Sequence, residues 1–385
     1  MKDGRLAIMF VATSLEVGGA ERLLLEIIRH LDLTRFRPMV ACLKGAGALA
    51  AQLAAVPAPV FANLMVNKFD LRVIYRLTRL MRRRRVDAVF TLNPGDKMFW
   101  GRLCARLAGV PVVLSAIHST GAILPDGSMD SVIGWLNKRL TPFTDAFIAL
   151  CEYQRDYLIK SEGLPAAKVE VIYNGVALNE VRPTRPADEV RAELGLPSEA
   201  PVIGLVAVMR PEKRHDVFLR AAALVLKRHP EARFLVVGDG PLRPRVESLW
   251  RALELQSRVQ LLGFRADVIE VMNVMDVVTL TSHPADTFPL SLLEAMALGK
   301  PLVVTDIPGG IKEMVSGRTD MAGLIVAPQD PRTVARAVTQ LIENPDLARR
   351  LGEAGRARVA ADFTIQQTVT RLEDLISDLA HKKGR

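Results

Sequence analysis

Cysteine is scarce: Cys42, Cys104 and Cys151 are the three in 385 residues, far apart and each in an apolar context. They form neither a C-x-x-C pair nor an even framework, which argues against a disulfide scaffold or a thiolate metal site. Buried thiols in a reducing compartment are expected. Aromatic residues make up only 5% of the chain, and no nucleic-acid recognition motif appears, so no nucleic-acid partner is expected. No window offers about 18 uninterrupted apolar residues, the length of a membrane-crossing helix. The Ala-rich stretch 46 to 62 comes nearest, and Gln52, Pro57 and Pro59 break it. The opening Met1-Lys2-Asp3-Gly4-Arg5 runs straight into a strand-like segment, without the apolar region and cleavage site of a signal peptide. The six histidines show no ligand spacing, and no metal set is expected. A G-x-G-x-x-G fingerprint is missing as well. Gly18-Gly19 lacks the spacing, and after Gly238-Asp239-Gly240 it is Arg243 that stands in the third glycine's place. A nicotinamide dehydrogenase is therefore disfavoured.

What the chain does have is a globular composition, 49% apolar with 24% charged residues, and a length that makes two domains the default. The net charge of +9 is uneven. Residues 1–180 hold 23 Lys/Arg against 16 Asp/Glu, a surplus of 7, and the remainder holds a surplus of 2. A basic first half and a near-neutral second half imply different partners: charge alone allows the first an anionic membrane, a phosphate-bearing substrate or nucleic acid, the last set aside for want of a recognition motif.

Short continuous apolar runs alternate with amphipathic stretches. In the first half strands are predicted at 6–12, 38–44, 86–92, 110–115 and 145–150, with helices at 20–31, 69–84 and 97–108. After Asn174-Gly175-Val176 a polar, proline-rich stretch, Arg182 to Pro186, reads as a linker. The pattern then restarts, with strands at 202–208, 233–238, 259–262, 277–281, 302–305 and 323–326. Apolar strands separated by helical periodicity predict parallel sheets covered on both faces, that is, an α/β chain of two doubly wound, Rossmann-like domains. An amphipathic helix, 364–380, and a frayed basic tail end the chain. The carboxyl ends of two such sheets make a cleft suited to a small molecule.

Several constellations carry chemistry. Asp286 and Glu294 stand eight positions apart, the first in a loop, the second in a helix predicted from about Pro289 to Leu298. Free N–H groups near residues 288 to 291, those of Phe288 and Leu290 on either side of Pro289 (which has none), form an anion-friendly patch between two acceptors for hydroxyls, an arrangement suited to a sugar joined to a phosphate. The structural alternative is a solvated loop Asp and a surface Glu. Gly18-Gly19-Ala20-Glu21-Arg22 follows a strand and opens a helix, where glycine lets a phosphate approach; an ordinary turn has the same look. Arg210-Pro211-Glu212-Lys213 ends the second half's first strand and offers two cations to a leaving diphosphate, or is a basic loop and nothing more. His118 follows a strand, as a donor to a sugar or phosphate or as a structural histidine. The densest basic run is 75 to 85, and along the helix that carries it Arg72, Arg76, Arg79 and Arg83 share one face while Val73, Leu77, Leu80 and Met81 line another. That face suits an anionic membrane, or is the solvated side of a sheet-covering helix.

Taken together, these stretches resemble the family-4 retaining glycosyltransferases of the GT-B fold. The likeness covers nearly the whole chain and is strongest from Val202 to Glu313. It rests on Gly18-Gly19-Ala20-Glu21-Arg22, Tyr173-Asn174-Gly175-Val176, Arg210-Pro211-Glu212-Lys213, Val237-Gly238-Asp239-Gly240-Pro241, Leu262-Gly263-Phe264, the acid-x7-acid segment, and Pro308-Gly309-Gly310 with Glu313. The resemblance implies an acceptor-binding domain of residues 1–175 with 365–385 crossing back onto it, and a donor-binding domain of residues 176–364. It implies that Arg210 and Lys213 hold the diphosphate of a nucleotide sugar, Glu294 the ribose, and Asp286 with the following amides the sugar. The loop near Gly240 and Phe264 would frame the base, Gly18 and Gly19 would approach the donor phosphate, and His118 the donor sugar. The expected reaction is retaining hexosyl transfer without metal or cofactor, the nucleotide sugar being a co-substrate. The expected acceptor is a lipid-linked or cell-surface saccharide intermediate of polysaccharide biosynthesis, met in the cytoplasm or on the inner face of the cytoplasmic membrane. One departure stands out: Asp286-Thr287 replaces the family's usual Glu-Gly, with a carboxylate about one C–C bond, roughly 1.5 Å, nearer its backbone and a β-branched residue for a permissive one. A non-catalytic sugar-nucleotide-binding partner and a nucleotide-sugar epimerase are the rival readings. A phosphorylase would need a pyridoxal phosphate lysine that cannot be identified.

Overall fold

A computed structural model describes residues 4–16, 18–67, 70–92, 96–117, 130–283, 286–317 and 320–384. The chain divides into two compact units, residues 1–174 with 365–385, and residues 175–364.

The first unit runs β1 (Leu6–Ala12), α1 (Gly19–His30), β2 (Phe36–Cys42), β3 (Val60–Phe61), α2 (Arg72–Arg84), β4 (Ala88–Leu92), α3 (Asp96–Ala108), β5 (Val112–Ile117), α4 (Asp130–Arg139), β6 (Ala146–Ala149), α5 (Glu152–Lys160) and β7 (Val169–Val171). Its seven strands are parallel, in the order β3-β2-β1-β4-β5-β6-β7. Side chains alternate across each strand, so β1 and β4 feed two cores. Ala7, Met9, Val11 and Val89 meet Val73, Leu77 and Met81 of α2 and Trp100 and Cys104 of α3. On the opposite face Phe90 and Leu92 look onto Leu23, Leu24 and Ile27 of α1. All three cysteines are buried.

The second unit runs α6 (Ala187–Glu193), β8 (Val202–Val206), α7 (His215–Val225), β9 (Arg233–Val237), α8 (Arg243–Ala252), β10 (Val259–Gly263), α9 (Val268–Asn273), β11 (Val277–Leu280), α10 (Leu290–Ala297), β12 (Leu302–Thr305), α11 (Gly310–Val315), β13 (Gly323–Val326), α12 (Pro331–Glu343) and α13 (Pro345–Asp362). Its six strands are parallel in the order β10-β9-β8-β11-β12-β13. Both units are therefore Rossmann-like α/β layers, as the alternation of apolar runs predicts.

The last helix, α14 (Ile365–Lys382), belongs to the first unit. Ile365, Val369, Leu372 and Ile376 recur at helical spacing and are buried, and at about 1.5–3 kcal/mol each such side chains hold the helix down. Thr368 Oγ1 donates to the Tyr173 carbonyl at 2.9 Å, and Glu373 accepts from the Asp32 N–H at 2.7 Å.

Two expectations need correction. The tail is less frayed than predicted: the helix continues through His381 and Lys382, whose charges suit its carboxyl end, and Lys383 pairs with Asp145 at 3.0 Å. The stretch 182–186 is no free linker. Thr184 bonds Glu270 through its N–H at 3.1 Å and its hydroxyl at 2.7 Å. Arg185 pairs with Glu189, Glu193 and Asp267, so the segment is part of the second unit.

Candidate functional site

Strand order in the second sheet reverses between β8 and β11, far apart in sequence yet neighbours in the sheet, ~4.8 Å from strand to strand. The loops that leave their carboxyl ends emerge side by side, at the point where doubly wound sheets take their ligands.

After β8, Arg210 precedes a short 3-10 turn, Pro211–Lys213, with Pro at its start. Arg214 then adopts a left-handed backbone, φ 47°, which turns the chain into α7. Two contacts hold that conformation, uncommon for a residue with a side chain. The Arg214 guanidinium makes two 2.8 Å bonds to Asp216, and Thr281 Oγ1 reaches the Lys213 and Arg214 carbonyls at 3.2 and 3.0 Å. The pairing lifts Arg214 above the ordinary guanidinium pKa and lowers the Asp216 carboxyl.

After β11, the His283 N–H donates to the Glu212 carbonyl at 2.7 Å. The Ser282 carbonyl is fixed by Thr305 Oγ1, also at 2.7 Å. These bonds lace the two loops together and place Lys213 Nζ against Asp286 Oδ2. Ser282 Oγ donates to that same oxygen at 2.7 Å. Asp286 Oδ1 takes no hydrogen bond from the described residues.

Neighbouring loops extend the row. The Met209 N–H bonds the Asp239 carbonyl at 2.9 Å and the Gly238 N–H bonds the Gly263 carbonyl at 2.7 Å. Gly240, at φ +157°, has no room for a side chain, since a Cβ would lie 2.8 Å from the Met209 carbonyl oxygen and 2.9 Å from its nitrogen. Phe264 follows β10 and is 61% exposed. Beyond β12, the Gly310 N–H bonds the Thr287 carbonyl at 2.8 Å. Gly309 has φ +145°, and its Cβ would come within 3.1 Å of the Asp286 carbonyl. Across the edge, in the order β10, β9, β8, β11, β12, stand an exposed ring, a glycine loop, two cations, a carboxylate and a Gly-Gly turn.

Of the predicted residues, Arg210, Lys213, Gly240, Phe264 and Asp286 share this edge. Arg210 is exposed, and its side chain has no partner among the described residues. Pro289 caps α10, Leu290 begins it, and Glu294 lies within it, 7% exposed. The Phe288 ring is in the core, 4% exposed and edge-on to Phe363 at 5.4 Å, which leaves only its backbone for a ligand. Thr287 does not need glycine's freedom. The described non-glycine residues with positive φ are Asn63, Arg85, Arg214, Glu254 and Gln329. Gly309 supplies the close approach to this loop instead. In the first unit Gly18 precedes α1 and Gly19 opens it. A Cβ on Gly18 would meet the Glu21 carboxylate at 2.4 Å, whereas one on Gly19 meets nothing within 4 Å. His118 lies outside the described residues.

Sequence reasoning passed over Ser282 and Thr281, although two hydroxyl residues closing an apolar strand are a readable signal. It also passed over His215, 3% exposed at the start of α7. Burial, helped by the Lys213 charge and opposed by the Ala207 carbonyl, pushes this imidazole down to about 4.

Comparisons with known proteins fall on both units. Residues 17–180 match the model of Glycosyltransferase Family 4, and residues 186–358 match that of Glycosyl transferases group 1. The D-inositol 3-phosphate glycosyltransferase of Kineococcus radiotolerans is 31% identical over 312 residues, 74% of this chain and 71% of that protein. The UDP-Gal:alpha-D-GlcNAc-diphosphoundecaprenol alpha-1,3-galactosyltransferase of Escherichia coli is 27% identical over 319 residues, 82% of this chain and 81% of that one. Among solved structures, Anabaena HepE in complex with UDP and glucose superposes with a TM-score of 0.83 at 23% identity, covering 97% of this chain and all of the other. That likeness shows the GT-B fold.

Proposed function

The chain belongs to the family-4 glycosyltransferases, and from that premise we propose that it moves a hexose-type sugar, with retention and without metal or cofactor, from a nucleotide sugar to a lipid-linked saccharide. The observation that carries this reading is the row of groups along one sheet edge. Phe264 and the Gly240 loop suit a base, Arg210 and Lys213 a diphosphate, and Asp286 the sugar hydroxyls; Glu294, buried within α10 rather than on the edge, is assigned the ribose by the family resemblance alone. In the first unit, Gly18 with Gly19, which has open space where a side chain would stand, and His118, outside the described residues, are the groups the resemblance offers to a phosphate and a sugar.

The chemistry asks little of the protein beyond charge and position. The bond from the anomeric carbon to the diphosphate breaks, and the acceptor oxygen bonds that carbon from the same face. The acceptor's proton passes to the departing diphosphate oxygen. Arg210 and Lys213 offset the charge that builds on the leaving group, and Asp286 positions the sugar without attacking it. The acceptor falls to the basic first unit. The Escherichia coli relative, named for a diphosphoundecaprenol-linked sugar, supports a lipid-linked acceptor, and the basic face of α2 supports docking on the anionic inner face of the cytoplasmic membrane.

The test is a panel of nucleotide sugars incubated with membrane extract, following free nucleoside diphosphate and acceptor-bound sugar. Transfer from at least one donor is expected, with kcat about 10²–10³-fold lower in Lys213→Ala, the usual cost of removing one group that stabilises developing charge. Release unchanged in Lys213→Ala removes the leaving-group role. Binding without turnover for every donor and acceptor makes the chain a non-catalytic partner instead.

A further inference from the structure

The Lys213–Asp286 pair has a feature that the transferase reading leaves unused. Two donors converge on one oxygen, Asp286 Oδ2: the Lys213 ammonium and the Ser282 hydroxyl at 2.7 Å. The other oxygen, Oδ1, has no partner among the described residues. The two donors differ in what holds them. Lys213 rides on a flexible four-carbon stem with rotatable donors, and its side chain is 16% exposed. Ser282 is 1% exposed, directly after β11, and its carbonyl is tied to Thr305.

We propose that the pair is an exchangeable latch, and that Ser282 is a positioning residue that keeps Asp286 in place once Lys213 departs. This deepens the transferase reading and rests on it. In the free chain Lys213 is neutralised by Asp286, so an incoming diphosphate must break an internal pair before it gains the lysine. A diphosphate carries more charge than one carboxylate and so draws the ammonium away. Asp286 Oδ2 then keeps a single donor, the Ser282 hydroxyl, which prevents the short side chain from turning to another rotamer. Oδ1 stays open to accept a sugar hydroxyl. Donor binding and release of the sugar-reading carboxylate thus become one event, with the short Asp286 side chain held by Ser282.

The experiment combines calorimetry with UDP, GDP, ADP and dTDP and the nucleotide-release assay in membrane extract, for the parent, Asp286→Asn, Ser282→Ala and Ser282→Thr. Asp286→Asn unlatches Lys213, so it binds the preferred diphosphate about tenfold more tightly than the parent while turnover falls. Ser282→Ala leaves diphosphate affinity within about twofold and lowers kcat about tenfold, since one positioning hydrogen bond is lost. Ser282→Thr, which keeps the hydroxyl, restores it. Equal or weaker diphosphate binding by Asp286→Asn overturns the latch. A Ser282→Ala variant that is unchanged, or that loses affinity, turnover and thermal stability together, overturns the positioning role, and Ser282→Thr and Asp286→Asn still report if that variant does not fold. A parent that binds none of the four diphosphates ends the transferase reading and the latch with it. Binding by the parent with flat variants ends the latch alone.

Discussion

In the first unit Arg79 lies over Tyr75 at 5.6 Å, Arg106 over Phe143 at 4.4 Å and Arg139 over Trp135 at 4.7 Å, and those rings are themselves 64, 44 and 55% exposed. In the second unit Arg214, Arg243 and Arg265 are matched to Asp216, to Asp239 and Glu247, and to Glu193 and Asp267. The contrast is not complete, since Arg29, Arg35, Arg76 and Arg155 of the first unit pair with Glu26, Glu373, Asp70 and Glu152. Yet Arg72, Arg79, Arg82, Arg83, Arg84 and Arg85 have no carboxylate partner among the described residues. A guanidinium stacked on a ring keeps its charge available to an outside anion, whereas one forked onto a carboxylate has already spent it. The surplus of 7 charges in residues 1–180 against 2 in the rest is a difference in number, and on α2 that surplus is also left largely without carboxylate partners. The contrast is sharpest between α2, which leaves most of its guanidinium charge unmatched, and the Arg214, Arg243 and Arg265 loops of the second unit, which cancel theirs locally.

Reversing Arg82 to Arg85 to glutamate attacks the first half of that contrast and carries the largest expected effect. Basic residues near an anionic surface contribute about 1 kcal/mol each, so partitioning onto anionic liposomes should fall by about 4 kcal/mol, close to a thousandfold. Sedimentation reads it directly, and neutral liposomes serve as the control. If the reversed chain still sediments as the parent does, α2 is a sheet-covering helix with a solvated face and membrane docking is lost.

Charge cancellation in the second unit reaches its limit at His215, which burial keeps neutral. Its folded value, about 4 against 6.5, is depressed, so between those values the unfolded chain binds the extra proton. Stability is then fully present above about 6.5 and is lost as pH falls towards 4, by about 3 kcal/mol across the window. His215→Phe removes that increment. Urea unfolding at pH 7, 5.5 and 4.5 should show the parent losing more stability than the variant. Parallel losses would mean that the ring is protonated without penalty, hence not buried as described.

Much of the fold could be read before any coordinates, because buried parallel strands are continuous apolar runs and the runs restart midway. β3 and β7 were missed because two or three residues show no period. Lys213, Asp286 and Arg210 were legible because charge at strand ends is local information. The burial of the Phe288 ring was not, since its partner Phe363 arrives from α13's far end. Nor was the role of Ser282, which depends on Thr305 fixing its carbonyl across β11 and β12. The concern over Thr287 dissolves for a similar reason. The backbone freedom expected at that position is needed at Gly309, on a loop that sequence alone does not place against it.

Exposed rings sharpen the contrast at its smallest scale. Tyr75, Trp135 and Phe143 each carry a guanidinium, while Phe264, 61% exposed, has none among the described residues. A bare ring beside the cramped Gly240 loop suits a flat, uncharged partner, and a nucleobase is one. Stacking of a base on an aromatic side chain is worth ~1–3 kcal/mol. At the low end of that range, Phe264→Ala should weaken binding of the preferred nucleoside diphosphate about tenfold. Folding stability should hardly change, because the ring buries little. Inorganic pyrophosphate, which has the charge and lacks the base, separates the two contributions, and its binding should not respond to Phe264→Ala. Tyr75→Ala gives the mirror image, leaving nucleoside diphosphate affinity intact and lowering liposome binding. Equal losses for the nucleoside diphosphate and pyrophosphate at Phe264 would place the ring on the phosphate loop's packing instead of on the base, and the division between outward-facing charge on α2 and ligand-facing chemistry in the second unit would no longer run through this residue.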